Sequence, residues 1–260
     1  MKETLKIGLC QTELEWEDSD ANLSRLELGL SELDADVDLA ILPEMFNTGF
    51  TMNAPGVAQT MDGAAVAWMK KMTRNRDIAL CGSAVIEDSG KYFNRFLWSE
   101  KGEIVEYYDK RHLFRMADEH ETFSPGKRQV FIDFKGWKIM PQVCYDLRFP
   151  VWSRTNDADL QIFVANWPAA RVDAWDKLLM ARAIENQCYV AGVNRVGKDG
   201  KGIPYVGHSA AISPKGNPLG DERYEGDGWL YAELSHAELE RYRKKFPVYL
   251  DADKFSIQIS

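Results

Sequence analysis

The chain has 260 residues, a formal charge of -8 and a sequence isoelectric point near 5.2. Because such a charge repels polyanions at long range, the composition argues against nucleic acid or an anionic membrane surface as a partner. The length and ordinary apolar content predict one domain over residues 1–260, with a core at about 5–234 and a C-terminal helix and tail at 235–260.

Short β-rich runs alternate with amphipathic helical stretches along the chain. The predicted strands are Leu5–Gln11, Val37–Leu42, Ile78–Ile86, Tyr92–Trp98, Ile104–Tyr108, Val130–Phe134, Lys138–Val143, Leu160–Ala165, Tyr189–Asn194, Ser209–Ser213 and Trp229–Leu234. The predicted helices are Asp20–Leu33, Ala64–Arg76, Ala174–Gln187 and Ser235–Lys245. Asp199–Gly202 and Pro214–Pro218 are predicted as hairpin turns or surface loops. Leu39–Leu42 and Ile162–Ala165 are apolar throughout, which indicates an α/β protein whose sheets are buried beneath helices.

The same composition predicts a soluble cytoplasmic protein, since no apolar run approaches the length needed to span a membrane. Its four cysteines are widely spaced, without a C-x-x-C pair; they are Cys10, Cys81, Cys144 and Cys188. This spacing predicts neither a disulfide framework nor a structural zinc site. Three of the thiols are expected to behave as small buried hydrophobes, and Cys144 is the exception.

Several common catalytic motifs are absent from the sequence. There is no G-x-x-x-x-G-K-[ST], G-x-G-x-x-G, G-x-S-x-G or H-E-x-x-H pattern. The run Glu119-His120-Glu121 suggests a metal site, but adjacent side chains rarely point the same way and no second ligand cluster has zinc-like spacing. We therefore predict no metal and a surface loop at this segment.

Cys144 is the leading candidate for a reactive group. It ends the apolar run Lys138–Val143 and is followed directly by Tyr145-Asp146-Leu147-Arg148-Phe149-Pro150, where a helix is predicted to begin. Unpaired backbone N–H groups and the positive end of a helix dipole favour a thiolate over a thiol. The sequence therefore predicts a nucleophilic cysteine with a lowered pKa.

Two charged residues occupy similar positions at the ends of β-rich runs. Glu44 closes the apolar strand Leu39–Leu42, and a carboxylate buried there could act as a base with a raised pKa. Lys110 follows Ile104–Asp109 in the same way. The alternatives are that Glu44 caps a turn or pairs with a surface lysine, and that Lys110 is an ordinary solvated lysine.

Three segments together resemble the signature motifs of the nitrilase superfamily of carbon–nitrogen hydrolases. They are Leu42-Pro43-Glu44-Met45, Tyr108-Asp109-Lys110-Arg111-His112-Leu113 and Cys144-Tyr145-Asp146-Leu147-Arg148-Phe149-Pro150, in the expected order and spacing. The resemblance runs from about Leu5 to about Leu234. It implies a four-layer α-β-β-α sandwich, usually dimerised through its helices, a Glu-Lys-Cys site and no cofactor.

Carried over to this chain, the resemblance makes Glu44 the general base, Lys110 the cationic stabiliser and Cys144 the nucleophile. It also implies an auxiliary glutamate between the lysine and the cysteine. Glu119 and Glu121 compete for that position, and the distance to the turn Ser124-Pro125-Gly126 favours Glu119. One departure is Pro141, whose missing N–H should force a bulge or an unpaired edge in the strand before the nucleophile.

Two further segments resemble the bacterial ω-amidase branch of the superfamily, namely Met116-Ala117-Asp118-Glu119-His120 and Asn166-Trp167-Pro168-Ala169-Ala170-Arg171. That branch hydrolyses the ω-amides of short 2-oxo dicarboxylic acids, such as 2-oxoglutaramate and 2-oxosuccinamate. The resemblance therefore implies a contact for a distal carboxylate and a pocket wall. The candidate substrate-binding residues are Tyr145, Phe50, Trp167, Arg171 and Arg195.

Three alternatives remain open from the sequence. The same three residues could hydrolyse a nitrile, an N-carbamoyl group or another small amide. An acceptor amine or hydroxyl could intercept the thioester, which would make the protein an acyltransferase. The chain could also be a non-catalytic interaction module on a hydrolase scaffold, although the presence of all three catalytic residue types argues against this.

Overall fold

Two β-sheets lie face to face between outer layers of helix in the computed structural model, which describes residues 2–220 and 225–259. Met1 and Ser260, the ends of the predicted domain, lie outside the described residues. Apolar side chains from the inner faces of both sheets form one continuous core. The α/β sandwich predicted from the sequence is therefore present.

The first sheet has the strand order β13-β1-β2-β3-β4-β5. Its strands are β1 (Thr4–Gln11), β2 (Leu39–Ile41), β3 (Ala79–Asp88), β4 (Lys91–Glu100), β5 (Glu103–Asp109) and β13 (Gly228–Ser235). β1, β2 and β3 are parallel, and β4 and β5 continue the sheet as antiparallel hairpins. β2 and β5 therefore end at the same edge of the sheet.

The second sheet has the strand order β12-β9-β8-β7-β6. Its strands are β6 (Ile132–Phe134), β7 (Trp137–Val143), β8 (Leu160–Ala165), β9 (Tyr189–Asn194) and β12 (Ala210–Ile212). β7, β8 and β9 are parallel, so their carboxyl ends also share one edge. A separate antiparallel hairpin contains β10 (Val196–Lys198) and β11 (Pro204–Val206), around the predicted turn at Asp199–Gly202.

The described residues contain seven α-helices, some of which cover the outer faces of the two sheets. They are α1 (Ser19–Ser31), α2 (Ala54–Val57), α3 (Ala64–Thr73), α4 (Glu119–Thr122), α5 (Pro150–Ser153), α6 (Val172–Asn186) and α7 (His236–Lys245). Buried side chains of α1 and α3 pack on the first sheet, and those of α6 pack on the second. Within the described ranges, no helix combines the length and the apolar character that a bilayer crossing requires.

The burial pattern explains why some strands are apolar on both faces. In β2, Ile41 faces the core between the sheets, while Ala40 faces the layer formed by α1 and α3. In β8, Ile162 faces the same core and Phe163 packs toward α6. Each of these strands is therefore covered on both sides, as their uniform hydrophobicity predicts.

The predicted elements agree with the structure except at short segments. The strands β10 and β11 were not expected, since each has only three residues and little alternation. Pro141 pairs in register with Ile162 of β8 without a bulge, while β6 on the other side pairs only as far as Ile139. Of the two predicted consequences of Pro141, the unpaired edge is present and the bulge is not.

Candidate active site

The four residues predicted to be catalytic meet at the carboxyl ends of the strands. Glu44 follows β2, Lys110 follows β5 directly, and Cys144 follows β7 directly. Glu119 is the first residue of α4, in the segment after Lys110. The face-to-face packing of the two sheets brings these strand ends, and the side chains that follow them, around one small pocket.

Lys110 is the centre of a buried ionic cluster. Its Nζ lies 2.9 Å from Oε1 of Glu44 and 2.9 Å from both carboxylate oxygens of Glu119. Burial alone would lower the pKa of this ammonium, but the neighbouring carboxylates of Glu119 and Glu44 outweigh it and raise the pKa above its ordinary value. Lys110 therefore stays charged inside the protein, and the solvated-lysine alternative is wrong.

The structure distinguishes the two candidate auxiliary glutamates. Glu119 is fully buried and also accepts a hydrogen bond from the main-chain N–H of Phe114 at 2.6 Å. Burial raises its pKa, the charge of Glu44 raises it further, and Lys110 opposes both. Glu121 is 72% exposed and pairs with His120. The predicted surface loop is instead a helical turn whose first residue points into the cluster.

Glu44 is held by two asparagines, which contact both its carboxylate oxygens. Nδ2 of Asn94 donates to Oε1 at 2.7 Å, and the main-chain N–H of Asn166 donates to Oε2 at 2.8 Å. The side-chain amide of Asn166 also donates to the carbonyl oxygen of Glu44 at 2.6 Å. These contacts fix the buried carboxylate beside Lys110, so Glu44 is neither a surface ion pair nor a simple turn cap.

Asn94 and Asn166 were not predicted to be site residues, although the sequence around each of them contains a signal. Asn94 is a polar residue at the start of the buried stretch of β4. Asn166 follows the apolar strand β8 as Glu44 follows β2. Polar residues in buried strands or directly after them require partners, which is a reason to examine them as site residues.

Cys144 occupies an unusual backbone conformation at the start of a five-residue 3₁₀ turn, Cys144–Arg148. Its φ is +45°, in the left-handed region that residues with a side chain rarely adopt. Backbone strain of this kind persists only where the surrounding contacts hold it. The sharp turn directs the residue into the pocket, which Cys144 lines.

The predicted lowering of the Cys144 pKa is wrong. Although the residue keeps some access at the pocket, the surrounding atoms desolvate its thiol and raise the pKa well above the ordinary value. The carboxylate of Glu44 raises it further, while Lys110 lowers it. A short 3₁₀ turn has little of the aligned dipole of an α-helix. Cys144 is therefore a thiol at neutral pH and needs a base to ionise it.

The pocket has a cavity volume of about 80 Å³, which suits a small substrate. Four of the predicted substrate-binding residues line it, namely Phe50, Tyr145, Trp167 and Arg171. The ring of Phe50 lies 5.1 Å from Nζ of Lys110, so an aromatic wall borders the ionic cluster.

Arg195 does not line this pocket, so its predicted contact with substrate is not supported by its position. Its guanidinium donates to the carbonyl oxygens of Leu14, Val196 and Lys198. The guanidinium carbon also lies 4.9 Å from the ring centroid of Tyr205, which does line the pocket. Arg195 supports the wall and the β10–β11 hairpin from behind through its Nε and Nη2, which donate to backbone oxygens, while its buried Nη1 has no hydrogen-bond partner among the described residues.

Two cationic residues that were not predicted as substrate contacts, Arg148 and Lys201, also line the pocket. The guanidinium carbon of Arg148 lies 4.9 Å from the ring of Trp167, and that of Arg171 lies 5.1 Å from the ring of Phe114. Among the described residues, neither the Arg148 nor the Arg171 guanidinium has a carboxylate at ion-pair distance. A cation without an anionic partner attracts a negatively charged ligand.

No group of three or more His, Cys, Asp or Glu side chains within residues 2–220 and 225–259 is arranged to hold a metal ion. The candidate site therefore consists of Cys144, the ionic cluster around Lys110, and a cationic wall formed by Arg148, Arg171 and Lys201.

The model of the carbon–nitrogen hydrolase family matches residues 6–244. The chain belongs to this family. Omega-amidase YafV of Escherichia coli (strain K12) is 47% identical to this chain over 254 residues, which cover 97% of this chain and 98% of the relative. The 2-oxoglutaramate amidase of Bacillus subtilis (strain 168) is 33% identical over 254 residues, which cover 95% of this chain and 97% of the relative.

A solved structure agrees with this assignment. XC1258 from Xanthomonas campestris, described as a CN-hydrolase superfamily protein with an arsenic adduct in its active site, superposes on the present structure with a TM-score of 0.95. The two are 43% identical, and the match covers 99% of this chain and 100% of that chain. The family membership and the fold predicted from the sequence are therefore confirmed.

Proposed function

We propose that the hydrolase is an ω-amidase, which converts the terminal amide of a short 2-oxo dicarboxylic acid to a carboxylate and ammonia. The substrates we propose are 2-oxoglutaramate and 2-oxosuccinamate. The observation that carries the proposal is that the guanidiniums of Arg148 and Arg171 lie in the same small pocket as Cys144 and have no carboxylate partner in the part of the chain that the structure describes. The name omega-amidase of the Escherichia coli relative supports the proposed reaction, and the name 2-oxoglutaramate amidase of the Bacillus subtilis relative supports the first of these substrates.

The proposed reaction begins with proton transfer from the Cys144 thiol to Glu44. The thiolate attacks the amide carbon, and the negative charge that develops on oxygen is stabilised by the Lys110 ammonium and the main-chain N–H of Tyr145. Glu44 then returns the proton to the nitrogen, and the C–N bond breaks to release ammonia and leave a thioester.

Hydrolysis of the thioester uses the same groups. Glu44 takes a proton from water, the hydroxide adds to the thioester carbon, and the C–S bond breaks to give the carboxylic acid. The proton returns to the sulfur, so Cys144 and Glu44 recover their starting states. Each step is a proton transfer or an acyl transfer, and we propose that no cofactor takes part.

The electrostatics of the cluster support these roles. The raised pKa of Cys144 means that a base is needed, and Glu44 is the carboxylate whose charge raises it most. Lys110 keeps its charge between Glu44 and Glu119 and is therefore ready to meet an oxyanion. We propose that Glu119 positions this ammonium rather than transferring protons itself.

The pocket wall supports recognition of a short anionic substrate. We propose that Arg148 and Arg171 bind the carboxylate distant from the amide, since guanidiniums can form two parallel hydrogen bonds to a carboxylate. Phe50, Tyr145 and Trp167 would enclose the carbon chain between the two ends. The small cavity volume favours a substrate of a few carbon atoms.

The test of this function is ammonia release from 2-oxoglutaramate and from glutamine, measured with the wild type, Cys144→Ala and Cys188→Ala. We expect rapid release from the 2-oxo amide, little from glutamine and none with Cys144→Ala. The Cys188 variant removes a buried thiol outside the pocket and should keep its activity. Equal activity of Cys144→Ala and the wild type would refute the proposal.

We also propose that the chain works as one hydrolase domain, forms a homodimer and acts in the cytoplasm on a small-molecule amide. Exposed apolar side chains on helices support a homodimer, including Val151 on α5 and Ile184 on α6. The free state of all four cysteines is compatible with a reducing compartment. Light scattering after gel filtration would measure the mass, and a mass of one chain at micromolar concentration would contradict the dimer.

A further inference from the structure

Asp146, two residues after Cys144, is a fully buried carboxylate with several donors. Its Oδ2 accepts the main-chain N–H of Val143 at 3.0 Å and the hydroxyl of Tyr108 at 2.8 Å. Its Oδ1 accepts the main-chain N–H of His112 at 2.9 Å and lies 2.7 Å from Nδ1 of the same residue. This carboxylate therefore has hydrogen-bond partners at both its oxygens.

The partners of Asp146 come from both segments that carry the proposed catalytic groups. Tyr108 and His112 lie two positions before and two positions after Lys110. The main-chain donor on the other side directly precedes Cys144 at the end of β7. One side chain thus ties the lysine segment of the first sheet to the nucleophile turn of the second.

We propose that Asp146 is a positioning residue that sets the separation between the Lys110 ammonium and the Cys144 thiol. The inference rests on the proposed roles of those two groups and adds a residue to the machinery around them. Asp146 itself does not line the pocket, so it acts through the groups it holds.

The surroundings make this arrangement rigid. The hydroxyl of Tyr108 also accepts hydrogen bonds from the main-chain N–H of Arg111 and from Nε1 of Trp152. The ring of His112 stacks on Phe149 with centroids 3.8 Å apart. A carboxylate bound on both sides by fixed partners transmits a displacement of one segment to the other.

Asp146 also stabilises the left-handed backbone conformation of Cys144. The hydrogen bond from Val143 to Asp146 closes the 3₁₀ turn just where the backbone of Cys144 has a φ of +45°. Without it, the turn is free to relax toward an ordinary conformation. The thiol would then move relative to Lys110.

The ionisation of the thiol reports this displacement. The charges that shift the Cys144 pKa are those of Glu44, Lys110 and Glu119, and Lys110 is the cation of this buried cluster. The other titratable groups at the pocket are Tyr145, Arg148, Arg171, Asp199, Lys201 and Tyr205. The titratable groups that face Asp146 are Tyr108 and His112. If Lys110 moves away from the sulfur, the thiolate loses its cationic neighbour and forms only at a higher pH.

The test compares Asp146→Asn with Asp159→Asn. Asp159 is also a buried carboxylate that accepts a main-chain N–H, from Lys138, and it pairs with Arg243 away from the pocket. We would measure kcat and KM on 2-oxoglutaramate, the thermal midpoint, and the pH dependence of iodoacetamide alkylation with Cys144→Ala as the blank. Both variants lose a buried charge, so stability alone does not separate them.

For Asp146→Asn we expect kcat to fall about 100-fold with little change in KM, because a displacement of about 1 Å has an effect of this size. We also expect the alkylation midpoint to move up by roughly one pH unit. Asp159→Asn should keep both quantities. An Asp146→Asn protein with kcat within threefold of the wild type and an unchanged midpoint would overturn the proposal.

If Asp146→Asn does not fold, Tyr108→Phe tests the proposal in its place. It removes one donor to Asp146 while the carboxylate and the main-chain donors remain, so we expect kcat to fall about tenfold with an upward shift of the midpoint. No change in either quantity would overturn the proposal. A wild type that alkylates at Cys144 but releases no ammonia from the 2-oxo amide would contradict the proposed function, whereas the alkylation comparison would still test Asp146.

Discussion

Asn166 and Glu44, which are 122 positions apart in the chain, form two hydrogen bonds that join the two sheets at the pocket. Glu44 follows β2 of the first sheet and Asn166 follows β8 of the second. The carboxylate of Glu44 therefore takes its orientation from the sheet opposite to its own. The proposed base and the proposed nucleophile, Glu44 and Cys144, come together because the sandwich closes, and neither sheet alone contains both residues.

Replacement of Glu44 by Gln should abolish most activity while it preserves the fold. The amide can still accept the N–H of Asn166, but it cannot take a proton from the thiol. General acid–base groups contribute about 10²- to 10⁴-fold, and we expect kcat on 2-oxoglutaramate to fall within this range. Glu121→Gln changes an exposed glutamate nearby and should leave kcat unaltered. A Glu44→Gln enzyme with more than a tenth of the wild-type kcat would contradict the role of Glu44.

Replacement of Lys110 by Met should destabilise the protein as well as inactivate it. The change leaves Glu44 and Glu119 buried beside each other without a counter-charge. Breaking a buried ion pair in this way costs about 3–5 kcal/mol of unfolding free energy. The control is Lys177→Met, which removes an exposed pair with Asp173 and should cost about 0.5 kcal/mol or less. Urea denaturation at pH 7 measures both, and equal losses would contradict the prediction.

The buried thiol of Cys188 should make the protein less stable in alkali. Burial raises the pKa of Cys188 from 9.0 to about 12. Above pH 9 the unfolded chain releases the proton while the folded chain keeps it, so this contribution to stability is complete below pH 9 and is lost as the pH rises toward 12. The slope is about 1.4 kcal/mol per pH unit for one proton.

Cys188→Ala removes this contribution. The gap in unfolding free energy between the wild type and the variant should therefore narrow as the pH rises from 9 to 10.5, by up to about 1.4 kcal/mol per pH unit. Urea denaturation at a series of pH values gives the two curves. Parallel curves over this interval would show that the folded thiol titrates as it does in the unfolded chain.

The cationic wall should distinguish charged from neutral amides. Arg148→Ala and Arg171→Ala each remove a proposed contact to the distal carboxylate, and a hydrogen bond to a charged group contributes about 1.5–3 kcal/mol. We expect KM for 2-oxoglutaramate to rise by about 10- to 100-fold in each variant. The activity on butyramide, which has no carboxylate, should change by less than about twofold since no charge is bound.

Arg241 provides the matched control, because it is 72% exposed on α7 and does not line the pocket. Arg241→Ala should leave both substrates unaffected. If Arg148→Ala and Arg171→Ala impair the neutral and the charged amide equally, the two arginines shape the pocket without recognising a carboxylate.

Arg171 and Arg195 have similar positions in the sequence but different surroundings in the structure. Both are arginines shortly after a buried strand of the second sheet, and the sequence treats them alike. The structure places Arg171 in the pocket, whereas Nε and Nη2 of Arg195 donate to main-chain oxygens of β10. The difference depends on short strands with too few residues to show a pattern.

The prediction for the Cys144 pKa failed for a related reason. A strand followed by a helix start favours the thiolate when only the local backbone is considered. The structure adds desolvation by neighbouring chain segments and the carboxylate of Glu44 from the other sheet. These contributions come from residues distant in sequence, and they reverse the sign of the expected shift.

By itself, the sequence determined the α/β class, most strand positions and the three segments that carry Glu44, Lys110 and Cys144, because hydrophobic periodicity and strand-end motifs are local properties of the chain. Only the tertiary structure decided that Glu119 rather than Glu121 meets Lys110, that Asn94 and Asn166 orient Glu44, and that the thiol is protonated at rest. Those outcomes depend on distances and burial between segments from both sheets, which exist only once the sheets pack together.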